Sequence, residues 1–148
     1  MGAVTREADP FRWEGVPVVP YKEDGGTHFK GVTRQVLVRD ADRLGTELRY
    51  FEIEPGGYST LERHEHVHAV VIVRGRGACL VGSDVLDIAA HDLVSVPTDT
   101  WHQFRAAPDE PLGFLCLVRC DRDRPQRPGD DDLAALRLEP VVAAFIRV

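Results

Sequence analysis

Cysteine is scarce in this chain. Cys79, Cys116 and Cys120 are odd in number and form no Cys-x-x-Cys pair, which argues against a disulfide framework; small buried hydrophobes are the expectation for all three. Excess positive charge is missing as well. Lys and Arg number 18 against 24 Asp and Glu, giving a net charge of -6 with the signs interspersed. Nucleic acid and anionic membrane both need a basic patch, so neither is an expected partner. Long apolar runs are also absent from the start: Met1 to Pro20 mixes Arg, Glu, Asp and Pro, which makes neither a secretory signal nor a membrane span and leaves the cytoplasm as the expected location. No internal repeat or low-complexity tract is visible.

What is present suits one compact core. A chain of 148 residues that is 43% hydrophobic fills a single domain and is short for two. Strand-like runs recur at short intervals with turn residues between them, the pattern of an all-β fold. The expected strands are Gln35 to Arg39, Glu47 to Glu54, Ser59 to His64, His68 to Arg74, Ala78 to Val81, Val85 to Ile88, Leu93 to Pro97, His102 to Arg105 and Gly113 to Arg119. Turns are expected at Gly56-Gly57, Gly75-Arg76-Gly77, Gly82-Ser83-Asp84 and Thr98-Asp99-Thr100. Nine short strands suggest a double-sheet jelly roll, a double-stranded β-helix, with a barrel core over about 33–120. Residues 1–32 read as an extended arm, with Phe11, Trp13 and Tyr21 packing on the barrel or exchanged with a partner subunit. Beyond Cys120, the polar, proline-rich stretch to Gly129 reads as a surface loop, followed over 121–148 by a short helix that Asp130 or Asp131 would cap. Pro140 either stops that helix or starts another through Ile146.

The chemistry concentrates in one segment. Glu62, His64, His66 and His68 stand at every second position, ahead of the apolar run Val70-Val71-Ile72-Val73, and His102 adds a further imidazole. Alternate residues of a strand share a face, so this spacing suits a set of metal ligands. A straight strand cannot use all of them: Glu62 to His68 would span roughly 20 Å, whereas metal–nitrogen bonds are about 2 Å. A bend over Glu65 to Val67 resolves the conflict, ending one strand with Glu62 and His64 and beginning the next with His68, with His66 in the turn. A shorter turn would instead bring His64, His66 and His68 together.

This segment resembles the first motif of the cupin superfamily. Gly56, five residues, Glu62-x-His64, three residues, His68, six residues, Gly75 follows its spacing, with Glu and the first His exchanged. The second motif has its counterpart in His91, five residues, Pro97-x-Asp99, two residues, His102, three residues, Ala106. That half keeps the proline and the histidine but loses two glycines and the asparagine. Fifteen residues separate the motifs, and the likeness covers roughly Leu48 to Cys120.

The resemblance implies a small single-domain metal-binding cupin, commonly a homodimer, holding one divalent ion (iron, manganese, zinc or nickel) on Glu62, His64, His68 and His102, with His66 as the alternative ligand. Iron or manganese would allow dioxygenase chemistry, and zinc or nickel isomerase or lyase chemistry, on a small organic substrate. A non-catalytic binding or sensing cupin, with or without the metal, is the other class, since fold does not decide function. Strand parity nominates Tyr58, Thr60, Val70, Ile72 and Phe104 for the pocket, together with one of Arg49 and Tyr50. Glu62 is the nearest thing to a general base. Trp101, of opposite parity to His102, is expected to pack at a sheet or subunit interface.

Overall fold

The computed structural model describes residues 4–22, 26–39 and 43–148. Ten strands and two helices are formed among them. A short hairpin, β1 (Glu7–Asp9) and β2 (Arg12–Trp13), precedes β3 (Val19–Pro20), β4 (Lys30–Val38), β5 (Thr46–Tyr58), β6 (His68–Val81), β7 (Asp84–Ala89), β8 (Leu93–Val96), β9 (His102–Ala106) and β10 (Leu112–Arg119). The helices α1 (Asp130–Leu136) and α2 (Pro140–Phe145) close the chain. The fold is the all-β jelly-roll barrel that the strand pattern predicts.

Two long strands close it. The first half of β6 pairs with β8 and β10, and its second half with β7 and β9. Likewise, β5 pairs with β4 and β10 along most of its length and meets β9 at Tyr58. Each long strand thus serves both sheets, which requires it to bend partway. The glycine pairs expected as turns are these bends, so the strands continue through Gly56-Gly57 and Gly75-Arg76-Gly77. Gly75 has φ 67, and a Cβ there would run into the Pro111 carbonyl, while one on Gly77 would meet that of Arg105. Only glycine lets the neighbouring backbone come so close.

The expected strand Ser59 to His64 is not regular. It makes only isolated bridges, Glu62 to His102 and Arg63 to Gln126, because it must turn away from the sheet to present its side chains inward. The bend expected over Glu65 to Val67 is present at Glu65 and His66. At the two places where the second cupin motif has lost glycine, the backbone still has glycine's conformation: His91 has φ 83 and Asp99 φ 51. His and Asp are among the residues that tolerate it better than most. Asp99 N–H donates to the His64 carbonyl at 2.8 Å, fixing this turn against the histidine segment.

Two apolar clusters support the barrel. Inside it, Val32, Phe51, Ile53, Val70, Ile72, Val96, Phe104, Leu112, Phe114 and Val118 pack together, each fully buried side chain contributing about 1.5–3 kcal/mol. Outside it, α2 covers Leu61 and Leu80 with Val142, Phe145 and Ile146, and Trp101 packs against this second cluster. Of the two alternatives at Pro140, the second holds: the proline starts a helix of its own, α2, which Ile146 ends. Gly129 rather than an aspartate caps α1, its N–H donating to Asp132 Oδ2 at 3.0 Å. The arm lies on its own barrel: Phe11 stacks on Tyr50 at 5.7 Å, Trp13 meets the same ring edge-on, and Gln35 Nε2 donates to the Phe11 carbonyl. Cys79 and Cys116 are buried as expected, whereas Cys120, just past the end of β10, is exposed.

Candidate metal centre

The bend folds the histidine segment so that His64, His68 and His102 each bring a ring nitrogen to within 4.8 Å of the other two. His64 comes from the irregular segment, His68 opens β6 and His102 opens β9. Hydrogen bonds set which nitrogen of two of these rings is available. His64 Nδ1 lies 2.6 Å from the His66 carbonyl and His102 Nδ1 lies 2.9 Å from that of Thr100. A carbonyl only accepts, so both rings carry the proton on Nδ1 and present the Nε2 lone pair. His64 Nε2 is buried with no hydrogen-bond partner. An orphaned acceptor is costly in a protein interior, and one facing two further imidazoles suits a cation. The cluster could therefore hold a metal ion.

Electrostatics agree with that fit. Burial, reinforced by the neighbouring imidazoles, lowers His64 to a pKa of about 4 and His68 further still. His102 is lowered too, chiefly by burial. At neutral pH all three are uncharged imidazoles, as ligands must be.

Glu62 stands apart from this group of three. It is buried and lines the same cavity, but Lys22 Nζ holds its Oε2 at 2.6 Å and also donates to Thr60 Oγ1 at 3.1 Å. His66 is engaged elsewhere: its Nδ1 lies 2.6 Å from Asp123 Oδ1, and its Nε2 lies 3.2 Å from His68 Nε2. Asp123 also accepts the backbone N–H groups of Glu65 and His66 at 2.8 and 3.0 Å. Burial works against the Asp123 charge, but these donors outweigh it and hold the carboxyl well below the usual range. One carboxylate thus pins both residues of the bend. His64, His66 and Asp123 make a second group with donor atoms close enough for a metal, although here the His66–Asp123 bond already satisfies both partners.

Beside the three histidines lies a narrow cavity of about 40 Å³ lined by Tyr21, Arg49, Thr60, Phe104, Phe114 and Cys116, among others. Arg49, Thr60 and Phe104 therefore face it. Tyr50 does not: Arg49 takes the inward position, and the Tyr50 ring lies beneath the arm with its hydroxyl donating to Glu52. Tyr58 points outward to the Thr27 carbonyl, and Val70 and Ile72 sit in the apolar core rather than at the cavity wall. Arg49 is 5% exposed and faces no carboxylate within ion-pair distance among the described residues. Its Nη2 reaches Cys116 Sγ at 3.5 Å, its guanidinium lies over Phe51 and its Nε is unpartnered. Burial raises the Cys116 pKa despite this cation, so the thiol stays protonated at neutral pH.

Tyr21, Lys22, Cys116 and Asp123 escaped the search for site residues. Cys116 reads only as a small buried hydrophobe, while the other three lie in stretches read as arm and surface loop. Trp101 faces away from the site, with the Arg63 guanidinium over its ring.

Known proteins share this architecture. Residues 49–118 match the family described as the cupin domain. The 1-methylthio-D-xylulose 5-phosphate methylsulfurylase of Rhodospirillum rubrum is 54% identical over 136 residues, covering 92% of this chain and 86% of that protein. A cupin 2 conserved barrel domain protein from Rhodopseudomonas palustris superposes with a TM-score of 0.94 at 53% identity, covering 99% and 100% of the two chains. A cupin-2 domain protein of Rhodospirillum rubrum gives 0.87 at 51% identity over 97% and 95%. With the cupin model matching residues 49–118 and cupin barrels more than half identical along nearly the whole chain, the chain belongs to the cupin family.

Proposed function

We propose that this protein is a metal-dependent enzyme that breaks the carbon–sulfur bond of a methylthio pentulose phosphate, 1-methylthio-D-xylulose 5-phosphate: a small thiol co-substrate attacks the sulfur and leaves with the methylthio group as a mixed disulfide, while carbon 1 keeps the bonding pair, delocalised onto the ketone oxygen, and takes up a proton. One observation carries the reading: the likeness to the Rhodospirillum rubrum methylsulfurylase runs through nearly the whole chain. The cavity supports it chemically. A pentulose has its ketone at carbon 2, next to the carbon that carries sulfur, so reaction there is helped by whatever stabilises negative charge on the ketone oxygen. In this reading His64, His68 and His102 hold one divalent ion, iron, manganese, zinc or nickel, with Glu62 beside them as the carboxylate of the set. Such an ion supplies Lewis acidity toward a carbonyl.

The chain's own residues do the remaining work. Arg49 provides a fixed, desolvated positive charge whose guanidinium has no carboxylate to neutralise it among the described residues, which is worth far more here than in water. Cys116 is a protonated group on the cavity wall, able to deliver a proton to a carbon that gains charge. Phe51, Phe104 and Phe114 form a stacked aromatic wall that suits an S-methyl group and excludes water. Thr60 supplies a hydroxyl. His66 and Asp123 hold the bend and make no contact with substrate.

Proton NMR of the S-methyl resonance tests this. Protein purified without an affinity tag, and loaded in turn with each metal, is incubated with the methylthio substrate and an excess of a small thiol such as glutathione. The expected result is loss of the carbon-1 methylthio signal with the wild type and its persistence with His64→Ala. Persistence with the wild type under every metal, while the Rhodospirillum rubrum relative clears it in parallel, overturns the proposal.

A further inference from the structure

The cavity beside the histidines, at about 40 Å³, is close to one water's share of liquid volume and cannot enclose a pentulose phosphate. Ligand sites for small molecules run to roughly 300–1,000 Å³. A hollow of about 440 Å³ lies directly outside, and Tyr21 and Glu62 line both spaces. Its other walls are Lys22, His28, Arg124, Pro125 and Arg127. Among the described residues the hollow gathers three permanent cations against one carboxylate, which runs counter to a chain whose net charge is -6. The Glu62 charge is already taken by Lys22, and neither Arg124 nor Arg127 has a carboxylate within ion-pair distance among the described residues. Like-charged side chains gathered in one hollow repel each other unless an anion joins them.

Their placement is fixed by the backbone. Gln126, between the two arginines, exchanges N–H···O bonds with Arg63 at 2.8 and 3.0 Å, and Asp123 is locked to the bend. Arg127 Nη1 lies 2.8 Å from His28 Nδ1. A guanidinium only donates, so His28 accepts on Nδ1 and helps to place the Arg127 side chain.

We infer that this hollow is a phosphate-monoester subsite, in which Arg124, Arg127 and Lys22 hold the 5-phosphate of the substrate while its sulfur-bearing end reaches the histidine cavity. The inference rests on the proposed function for the identity of the substrate, not for the existence of the subsite. Forked guanidinium donors match phosphate oxygens bidentately. The division of labour follows from it: a cationic mouth selects the phosphate, and the narrow aromatic-walled cavity beside the histidines takes the methylthio end.

Calorimetry with D-xylulose 5-phosphate, D-xylulose and inorganic phosphate tests the subsite without requiring turnover. The wild type should bind the ester and not the free sugar. Arg124→Gln and Arg127→Gln should each weaken the ester roughly tenfold, the loss expected for one charge-assisted hydrogen bond, with metal content and far-ultraviolet circular dichroism unchanged. Under turnover, KM for the methylthio substrate should rise in step while kcat is kept. Equal wild-type affinity for ester and sugar, free phosphate binding as tightly as the ester, or a double variant that binds like the wild type, each overturns the subsite. Ester binding that falls in the variants of a protein inert toward the methylthio substrate upholds the subsite and rejects the reaction. Turnover with an unchanged KM in the double variant does the reverse.

Discussion

Two pairs of histidine contacts sit side by side in this molecule and behave oppositely. His66 meets Asp123 at 2.6 Å, and each satisfies the other. His64, two residues earlier and stacked on His66 at 3.6 Å, buries its Nε2 with no partner. The same side chain at adjacent same-parity positions thus serves in one case as structure and in the other as an unmet lone pair. Spacing cannot distinguish the two, and satisfaction of hydrogen bonds can.

The largest expected effect breaks the unmet side. Replacing His64 or His102 with Ala should lower metal content by more than the roughly 10–100-fold that loss of an outer partner costs, read by elemental analysis of untagged protein. Wild-type occupancy in both variants would remove them from the ligand set.

Breaking the satisfied side should cost less. Asp123→Asn keeps the shape but loses the charge that pins Glu65 and His66. It should weaken metal binding by roughly 10–100-fold as an outer-shell change and lower stability by about 1 kcal/mol, a modest figure because the carboxylate is partly exposed. Its folded pKa is depressed, so its contribution is present above the unfolded value near 3.9 and is lost as pH falls through the folded value. Urea unfolding of wild type and variant below pH 4 should therefore converge.

Titration sharpens the contrast further. In metal-stripped protein His64 has a folded pKa of about 4 against 6.5 for the ordinary side chain, so the unfolded chain binds more protons between these values. Stability should be full above about pH 6.5 and fall as pH drops toward 4. His64→Gln should flatten that slope, whereas a slope unchanged by the substitution would assign it to other groups.

Tyr58→Phe should have the smallest effect. Its hydroxyl reaches only the Thr27 carbonyl at the surface, so stability should move by about 0.5 kcal/mol or less and metal content not at all. A drop in metal would bring Tyr58 back to the site.

Much of the fold was legible because strand patterning and turn residues are local. The bend at Glu65-His66 could be argued from reach alone, since alternating ligands on a straight strand lie too far apart. The continuity of β5 and β6 was not legible: a glycine pair marks a turn and a sharp strand bend alike, and only pairing with both sheets separates them. Arg49 and Tyr50 show the same limit. Both are buried, one by the cavity and the other by the arm, so hydrophobic alternation could not say which faced inward. Asp123 and Lys22 lie 57 and 40 residues from the groups they hold, and nothing local announces either.

The sequence by itself determined a β-barrel with a histidine-rich bend, because side-chain parity and chain reach are properties of neighbouring residues. The tertiary structure decided which imidazoles keep an open lone pair, which carboxylate serves the bend and which cations gather at the mouth. Those outcomes depend on partners brought from remote segments, and on the burial that makes an unmet acceptor or an unpaired charge costly.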